Sequence, residues 1–430
     1  MKRLLTSLLA TVLAFGLGGC LHDDDDDPVV TPTAQLRVLH GSPDAPNVDV
    51  LVNGDIVLED VPYKGASGYL DVPTTGFDVA VNATGTDTTA LALDNVELTP
   101  DTPYTVIAAN SLASIEAIVL DDSVTAPAAG NLAVRVVHGA ATAPAVDVYV
   151  TAADADLGAA SPAVSNAAFA DASGFLEIAA GEYRIRVTAT GTTDVVFDSG
   201  AIDLPEGAQL TVVALPSENP VSPIELVALT GDSAAPTIEL NDNRALLRAA
   251  HMSPDAPNVD VYVDGAQVLT NVPFKAVSDY LTVPSGTTNV QVTATGTTTP
   301  VIDVDLELAA TSATSAIAVD FVASIEAIAP MDDLSEPAAG DAHVRVVHAS
   351  PDAPNVDVLV DDAIVLTDVP FKAVSDYLPL AAGSHNIKVN ATGTSTTVID
   401  VTLDFADGAI YTVFAANSLA NIEAVRVQDN

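Results

Sequence analysis

The chain repeats itself, and the length of the repeat bounds what it can fold into. Arg37-Val-Leu-His40-Gly-Ser-Pro-Asp-Ala-Pro-Asn-Val-Asp-Val50 recurs as Arg135-Val-Val-His138-Gly-Ala-Ala-Thr-Ala-Pro-Ala-Val-Asp-Val148. It recurs again as Arg248-Ala-Ala-His251-Met-Ser-Pro-Asp-Ala-Pro-Asn-Val-Asp-Val261 and as Arg345-Val-Val-His348-Ala-Ser-Pro-Asp-Ala-Pro-Asn-Val-Asp-Val358. The spacing is about 100 residues, a full domain and not a solenoid unit. Each unit continues in one order. An aromatic (Tyr63, Phe169, Phe274, Phe371) precedes a second one six residues on (Tyr69, Phe175, Tyr280, Tyr377). An Ala-Thr-Gly-Thr turn follows at 83–86, 189–192, 294–297 and 391–394, and an Ile-Glu pair closes the unit at 115–116, 224–225, 325–326 and 422–423.

Within a unit the pattern is that of strands. Val48-Asp-Val-Leu-Val52, Phe77-Asp-Val-Ala-Val81 and Val259-Asp-Val-Tyr-Val263 alternate with period two, and Asn53-Gly54 is a type I′ hairpin signal. Seven or eight short strands per unit predict four tandem immunoglobulin-like β-sandwich domains, all-β, with antiparallel strands. The cysteine and tryptophan hallmarks of immunoglobulin domains are absent, so the expectation concerns architecture only. The units are placed at 35–122, 131–230, 244–331 and 341–430. The Pro-, Ala- and Asp-rich stretches between them read as linkers of a semi-rigid string of domains.

The first 20 residues read as a targeting segment. Lys2 and Arg3 precede an uncharged run from Leu4 to Leu17, too short for a comfortable membrane span, which ends in Leu17-Gly18-Gly19-Cys20. This resembles the bacterial lipobox, which implies lipid attachment at Cys20 and a membrane contact made by acyl chains. Asp23 to Asp27 then predict a solvated acidic tether over 21–34, at most about 45 Å long. The residue after Cys20 is not Asp, which by the same resemblance favours the outer membrane, on either its periplasmic or its exposed face. Cys20 is the only cysteine, so no internal disulfide exists.

Fourteen Lys and Arg against 58 Asp and Glu give a formal charge of −44, which repels phosphate backbones and excludes nucleic acid as a partner. No Asp-x-Asp-x-Asp-Gly loop is present; acidic pairs such as Asp121-Asp122 read as solvated surface offering at most weak calcium binding. With 4% aromatics and no Trp, a sugar-stacking platform has little support.

The repeated His-x-Ser-Pro-Asp-Ala-Pro opening behind a lipobox resembles the bacterial family called domain of unknown function 4397, over residues 34 to 430. The resemblance implies a sandwich fold and an extracytoplasmic setting, and no activity.

One cluster recurs in repeats 1, 3 and 4: His40, Asp44, Lys64 and Tyr69; His251, Asp255, Lys275 and Tyr280; His348, Asp352, Lys372 and Tyr377. Repeat 2 keeps His138 but has Thr142, Ala170 and Phe175 at the other positions. Joint loss is what contacting groups show, because a buried charge without its partner is costly. The expectation is an Asp–Lys ion pair with the tyrosine hydroxyl beside it. Each histidine shares an apolar strand face and reads as a core residue bonded to the Pro-rich loop; metal ligation or a binding-site floor is the alternative. A hydrolase built from His40, Ser42 and Asp44 is disfavoured, since the three are adjacent in sequence and repeat 2 lacks two of them. The four constant aspartates Asp49, Asp147, Asp260 and Asp357 are expected to serve the loop-to-strand turn. No catalytic residue, cofactor or metal set is predicted. The functional expectation is a non-enzymatic stalk or adhesin-like module that engages an unknown protein or surface ligand. The runner-up is a small-ligand or metal-binding lipoprotein using the cluster.

Overall fold

The computed structural model describes residues 32–430; Cys20 and the acidic run lie outside the described residues. In repeat 1, β1 is Thr33–Gly41, β2 Val48–Val52, β3 Asp55–Val61, β4 Leu70–Pro73, β5 Phe77–Ala83, β6 Thr89–Val96, β7 Pro103–Ala109 and β8 Glu116–Asp121. One sheet has the order β4-β1-β7-β8 and the other β3-β2-β5-β6. Val48, Val50 and Val52 of β2 and Phe77, Val79 and Val81 of β5 point inward and are buried, as the alternation demands. Leu36, Val38, Val72 and Val106 meet them from the other sheet.

The other repeats follow the same plan, so the chain is a row of four two-sheet sandwiches. Repeats 1 and 4 have eight strands each, and repeats 2 and 3 have nine. One pairing departs from the antiparallel expectation. β1 runs parallel to β7, in register from Gln35–Pro103 to Gly41–Ala109, and the equivalents of β1 and β7 are parallel in every repeat. The first strand has crossed from the sheet that β2 enters to lie beside the last hairpin, a connection that no local pattern encodes.

The sandwiches are joined in pairs. β1 is buried on both faces: Leu36 and Val38 enter the repeat 1 core, while Leu39 faces the neighbouring domain. Leu39, Ile107, Ala109, Ile118 and Leu120 of repeat 1 form one cluster with Val137, Val213, Leu215, Val227 and Leu229 of repeat 2. Ala250, Met252, Ile317 and Val319 of repeat 3 pack in the same way on Val347, Ala349, Phe414 and Ala416 of repeat 4. Eight residues of the first cluster and six of the second have no exposed surface at all, so these are interior-grade contacts. The expected semi-rigid string of domains is therefore corrected to two closely packed pairs. The physical reason is that one sheet of each sandwich is apolar on both sides.

The stretch between repeats 2 and 3 is also structured. Thr237–Leu240 adds a fifth strand to a repeat 2 sheet. Asp242 and Arg244 follow, 3% and 7% exposed and paired at 2.6 Å, and Arg244 donates to the Val195 and Val196 carbonyls at 2.6 and 2.5 Å. Val221, from a loop peculiar to repeat 2, packs on Leu246 and Ala313 of repeat 3.

Candidate functional site

The residues of the recurrent cluster do not converge on one pocket; each has a separate structural partner. The histidines are pins. His40 is fully buried, its Nε2 lies 3.1 Å from the Pro46 carbonyl and its Nδ1 accepts the Ser42 amide at 3.4 Å. That places the proton on Nε2 of a neutral ring. His138, His251 and His348 make the same pair of contacts. Burial pushes His40, His251 and His348 below the usual histidine range. The reading of a core histidine bonded to its Pro-rich loop describes these contacts.

The expected Asp–Lys pair is not formed. Asp44 is exposed and accepts the Leu112 amide at 2.7 Å, at the start of a short 3-10 helix, Leu112–Ser114. Asp255 and Asp352 do the same for Val322 and Leu419, at 2.7 and 2.6 Å. Repeat 2 has no such helix: Ser217 to Pro223 replaces it, and Thr142 replaces the aspartate. The lysines instead cross to the mate. Lys64 bonds Glu225 at 3.0 Å and Glu239 at 2.9 Å in repeat 2. Lys275 bonds Glu423 at 3.0 Å, and Lys372 returns the contact to Glu326. Glu225, Glu326 and Glu423 are those of the closing Ile-Glu motif, and Glu239 lies in the added strand Thr237–Leu240. The reciprocity in the repeat 3–4 pair is that of an isologous interface.

The tyrosines belong to a third arrangement, built on groups that the repeat comparison passed over. Tyr69, Tyr280 and Tyr377 donate to Asp122, Asp332 and Asp429 at 2.6, 2.6 and 2.8 Å. Thr105, Ser315 and Thr412 donate to the same carboxylates at 2.5, 2.6 and 2.7 Å. Burial first, with the adjacent carboxylates, pushes the Tyr69 and Tyr280 hydroxyls up, so they remain donors. The recurrent arginines lie across these tyrosine rings, at 4.9, 4.8 and 4.7 Å for Arg37, Arg248 and Arg345, and Arg135 lies across Phe175 at 4.6 Å. They then pair across the interface. Arg135 bonds Asp122; Arg345 bonds Asp332 at 2.6 Å; Arg248 bonds Asp429 at 2.8 Å. All of these side chains are 5% exposed or less. Asp122 is thus no solvated acid, contrary to the reading of Asp121-Asp122 as surface; two guanidiniums hold it inside.

The four constant aspartates serve a different turn from the loop-to-strand one expected of them. Asp49 accepts the Asp60 and Gly85 amides at 2.9 and 3.0 Å and the Thr84 hydroxyl at 3.0 Å, tying a kink in β3 to the Ala-Thr-Gly-Thr turn. Asp147, Asp260 and Asp357 repeat the amide contacts. These backbone donors hold all four carboxyls below the usual range. Among the described residues, no group of three or more His, Cys, Asp or Glu is arranged to hold a metal ion, and no helix is long and apolar enough to cross a membrane.

Fold and site together define a tandem all-β sandwich protein whose recurrent polar residues build the domains and join them in pairs. A family model, described as "Domain of unknown function (DUF4397)", matches residues 34–149, 150–239, 245–359 and 342–430, and the chain belongs to that family. Among solved structures, one similar chain is the Bacillus anthracis TIE protein, at 12% identity and a TM-score of 0.17, covering 91% of this chain and 69% of that one. Another is a leucine-rich repeat protein from Bacteroides thetaiotaomicron, at 13% identity and a TM-score of 0.13, covering 41% of this chain and 27% of that one. A comparison with curated proteins finds no match.

Proposed function

We propose that this protein is a non-enzymatic lipoprotein of the cell envelope, attached at Cys20 to the outer membrane, whose paired sandwiches form a stalk or adhesin-like binding module. The observation that carries the reading is where the recurrent chemistry goes. The repeated His and Arg residues are buried, the exposed Asp44, Asp255 and Asp352 are taken up by backbone amides, and the Lys and Tyr residues are bonded within or across pairs. None of these groups is left converging on a reaction centre, and what the repeats offer a partner is their outward sheets and loops. Repetition on one anchor suits multivalent binding, in which weak contacts add through effective concentration.

Two measurements test this. Labelling with a radioactive fatty acid marks the full chain if Cys20 is acylated, and Cys20→Ala abolishes both the label and membrane fractionation; an unlabelled wild-type chain refutes the anchor. Small-angle scattering of the soluble part gives its shape. A compact body of this size has a radius of gyration of about 21 Å. A value well above that fits a stalk, and a value near it rejects one.

A further inference from the structure

The two pairs differ in buried charge. In the repeat 3–4 pair, Arg248 and Arg345 face two carboxylates, Asp332 and Asp429. In the repeat 1–2 pair, Arg37 and Arg135 share Asp122 as their only carboxylate among the described residues, and Arg37 Nη1 donates instead to the Thr230 carbonyl at 2.6 Å. The position of the second carboxylate, seven residues after the Ile of the closing motif, is Gly231.

The groups around that position lack what their equivalents have. Thr211, 1% exposed, accepts from Arg135 at 3.0 Å and from Arg37 at 3.5 Å, yet among the described residues has no acceptor for its own proton; Thr105, Ser315 and Thr412 each give theirs to an aspartate. Arg135 is 4% exposed and its Nε makes no hydrogen bond, whereas the Nε of Arg37, Arg248 and Arg345 reaches a hydroxyl at 2.7, 2.7 and 3.3 Å. Burial, with Arg135 adding to it, pushes Arg37 down despite Tyr69 and Asp122; for Arg248 burial is outweighed by Asp429, Tyr280 and Asp332. A Cβ built on Gly231 meets nothing within 4 Å, so the approach is open. The neighbouring Asp232 carboxylate is taken by the Ala234 amide at 2.8 Å.

We propose that the Gly231 side of the repeat 1–2 interface binds a small carboxylate anion, held by Arg37, Arg135 and Thr211 at the place that Asp429 occupies in the other pair. Two guanidiniums and a hydroxyl match the two oxygens of a carboxylate, and the low local dielectric strengthens each contact. The absence of a Cβ at residue 231 admits the anion from solvent.

The experiment titrates 13C-labelled acetate into the full chain at constant ionic strength, reading line width, with thermal unfolding as a second readout. Wild type gives saturable broadening for one site, half-saturated on the order of 1 mM for so small a ligand. Gly231→Asp places a tethered carboxylate in open space, so it folds; it loses the acetate broadening and raises the melting temperature of the repeat 1–2 pair by about 3–6 °C. Gly231→Asn fills the same space without charge, and it loses the broadening without that rise. Absence of saturable broadening in wild type, its persistence in Gly231→Asp, or a Gly231→Asp chain that melts at or below wild type overturns the proposal.

Discussion

Asp122 is the single carboxylate between two buried arginines, and replacing it by alanine tests the account of the pair interface. In wild type it faces Arg135 and Arg37, the latter at 3.5 Å, and accepts from Tyr69 at 2.6 Å and Thr105 at 2.5 Å. Asp122→Ala leaves two guanidiniums, each with a side chain 5% exposed, and no anion between them. Breaking one buried ion pair costs about 3–5 kcal/mol, and the two stranded hydroxyls add to that. For a unit of about 200 residues this lowers the melting temperature by about 6–20 °C. The loss is confined to repeats 1 and 2, so hydrogen exchange accelerates in Asn131–His138 and Gln209–Pro216 while the equivalent strands of repeats 3 and 4 keep their protection. Asp332→Ala is the control: Asp429 remains 2.8 Å from Arg248, so the cost is smaller. A loss below about 1 kcal/mol for Asp122→Ala, typical of exposed pairs, refutes the claim that this carboxylate holds the interface.

Three further outcomes follow from the same geometry. Asp49, Asp147, Asp260 and Asp357 have folded-state values below the ordinary aspartate value of about 3.9, so the stability they contribute is present above that pH and is lost as pH falls through the depressed values; melts between pH 5 and pH 2 show the loss, and Asp260→Asn flattens it. His40, His251 and His348 are held neutral by burial, so the unfolded chain takes up protons first and stability begins to fall below about pH 6.5; a flat stability profile between pH 7 and pH 5 contradicts this. Ala170 sits at φ +68° where the other repeats carry lysine at +65° to +71°, so Ala170→Gly stabilises repeat 2 by about 0.5–1 kcal/mol, and a destabilisation in urea unfolding rejects the strain.

The strands and the repeat were legible because their signals are local, whereas the turn that Asp49 ties is 36 residues away. Alternation in Val48–Val52 and Phe77–Val81 says which side is core, and Asn53-Gly54 names its own turn. Other segments carried a different signal, namely runs with no alternation at all: Thr105-Val-Ile-Ala-Ala109, Leu210-Thr-Val-Val-Ala-Leu215 and Tyr411-Thr-Val-Phe-Ala-Ala416. A continuous apolar strand is buried on both faces. Since a two-layer sandwich covers one face only, these runs already required a second body against each sheet. The joint loss in repeat 2 picked out the right polar groups and the wrong partnerships. The partner of Tyr69 is 53 residues away, and that of Lys64 is 161 residues away in another domain, separations that no local pattern reports.

With the partners known, the departures of repeat 2 form one coherent set. Phe175 has lost its hydroxyl where Gly231 has lost the carboxylate that would accept it. Thr142 has lost the carboxylate where the 3-10 helix it would cap has become the Ser217–Pro223 loop. That loop carries Val221 to Leu246 and Ala313, and the segment after Gly231 continues into the added strand Thr237–Leu240, whose Glu239 holds Lys64. Repeat 2 must close one pair and also contact the next, and both changed segments lie on the path to repeat 3. Repeat 4 keeps the full set of polar groups. The departures of repeat 2 thus cluster in the segments that reach repeat 3, and the position of Gly231, which carries no carboxylate, leaves Arg135 with an unbonded Nε, on which the anion proposal rests.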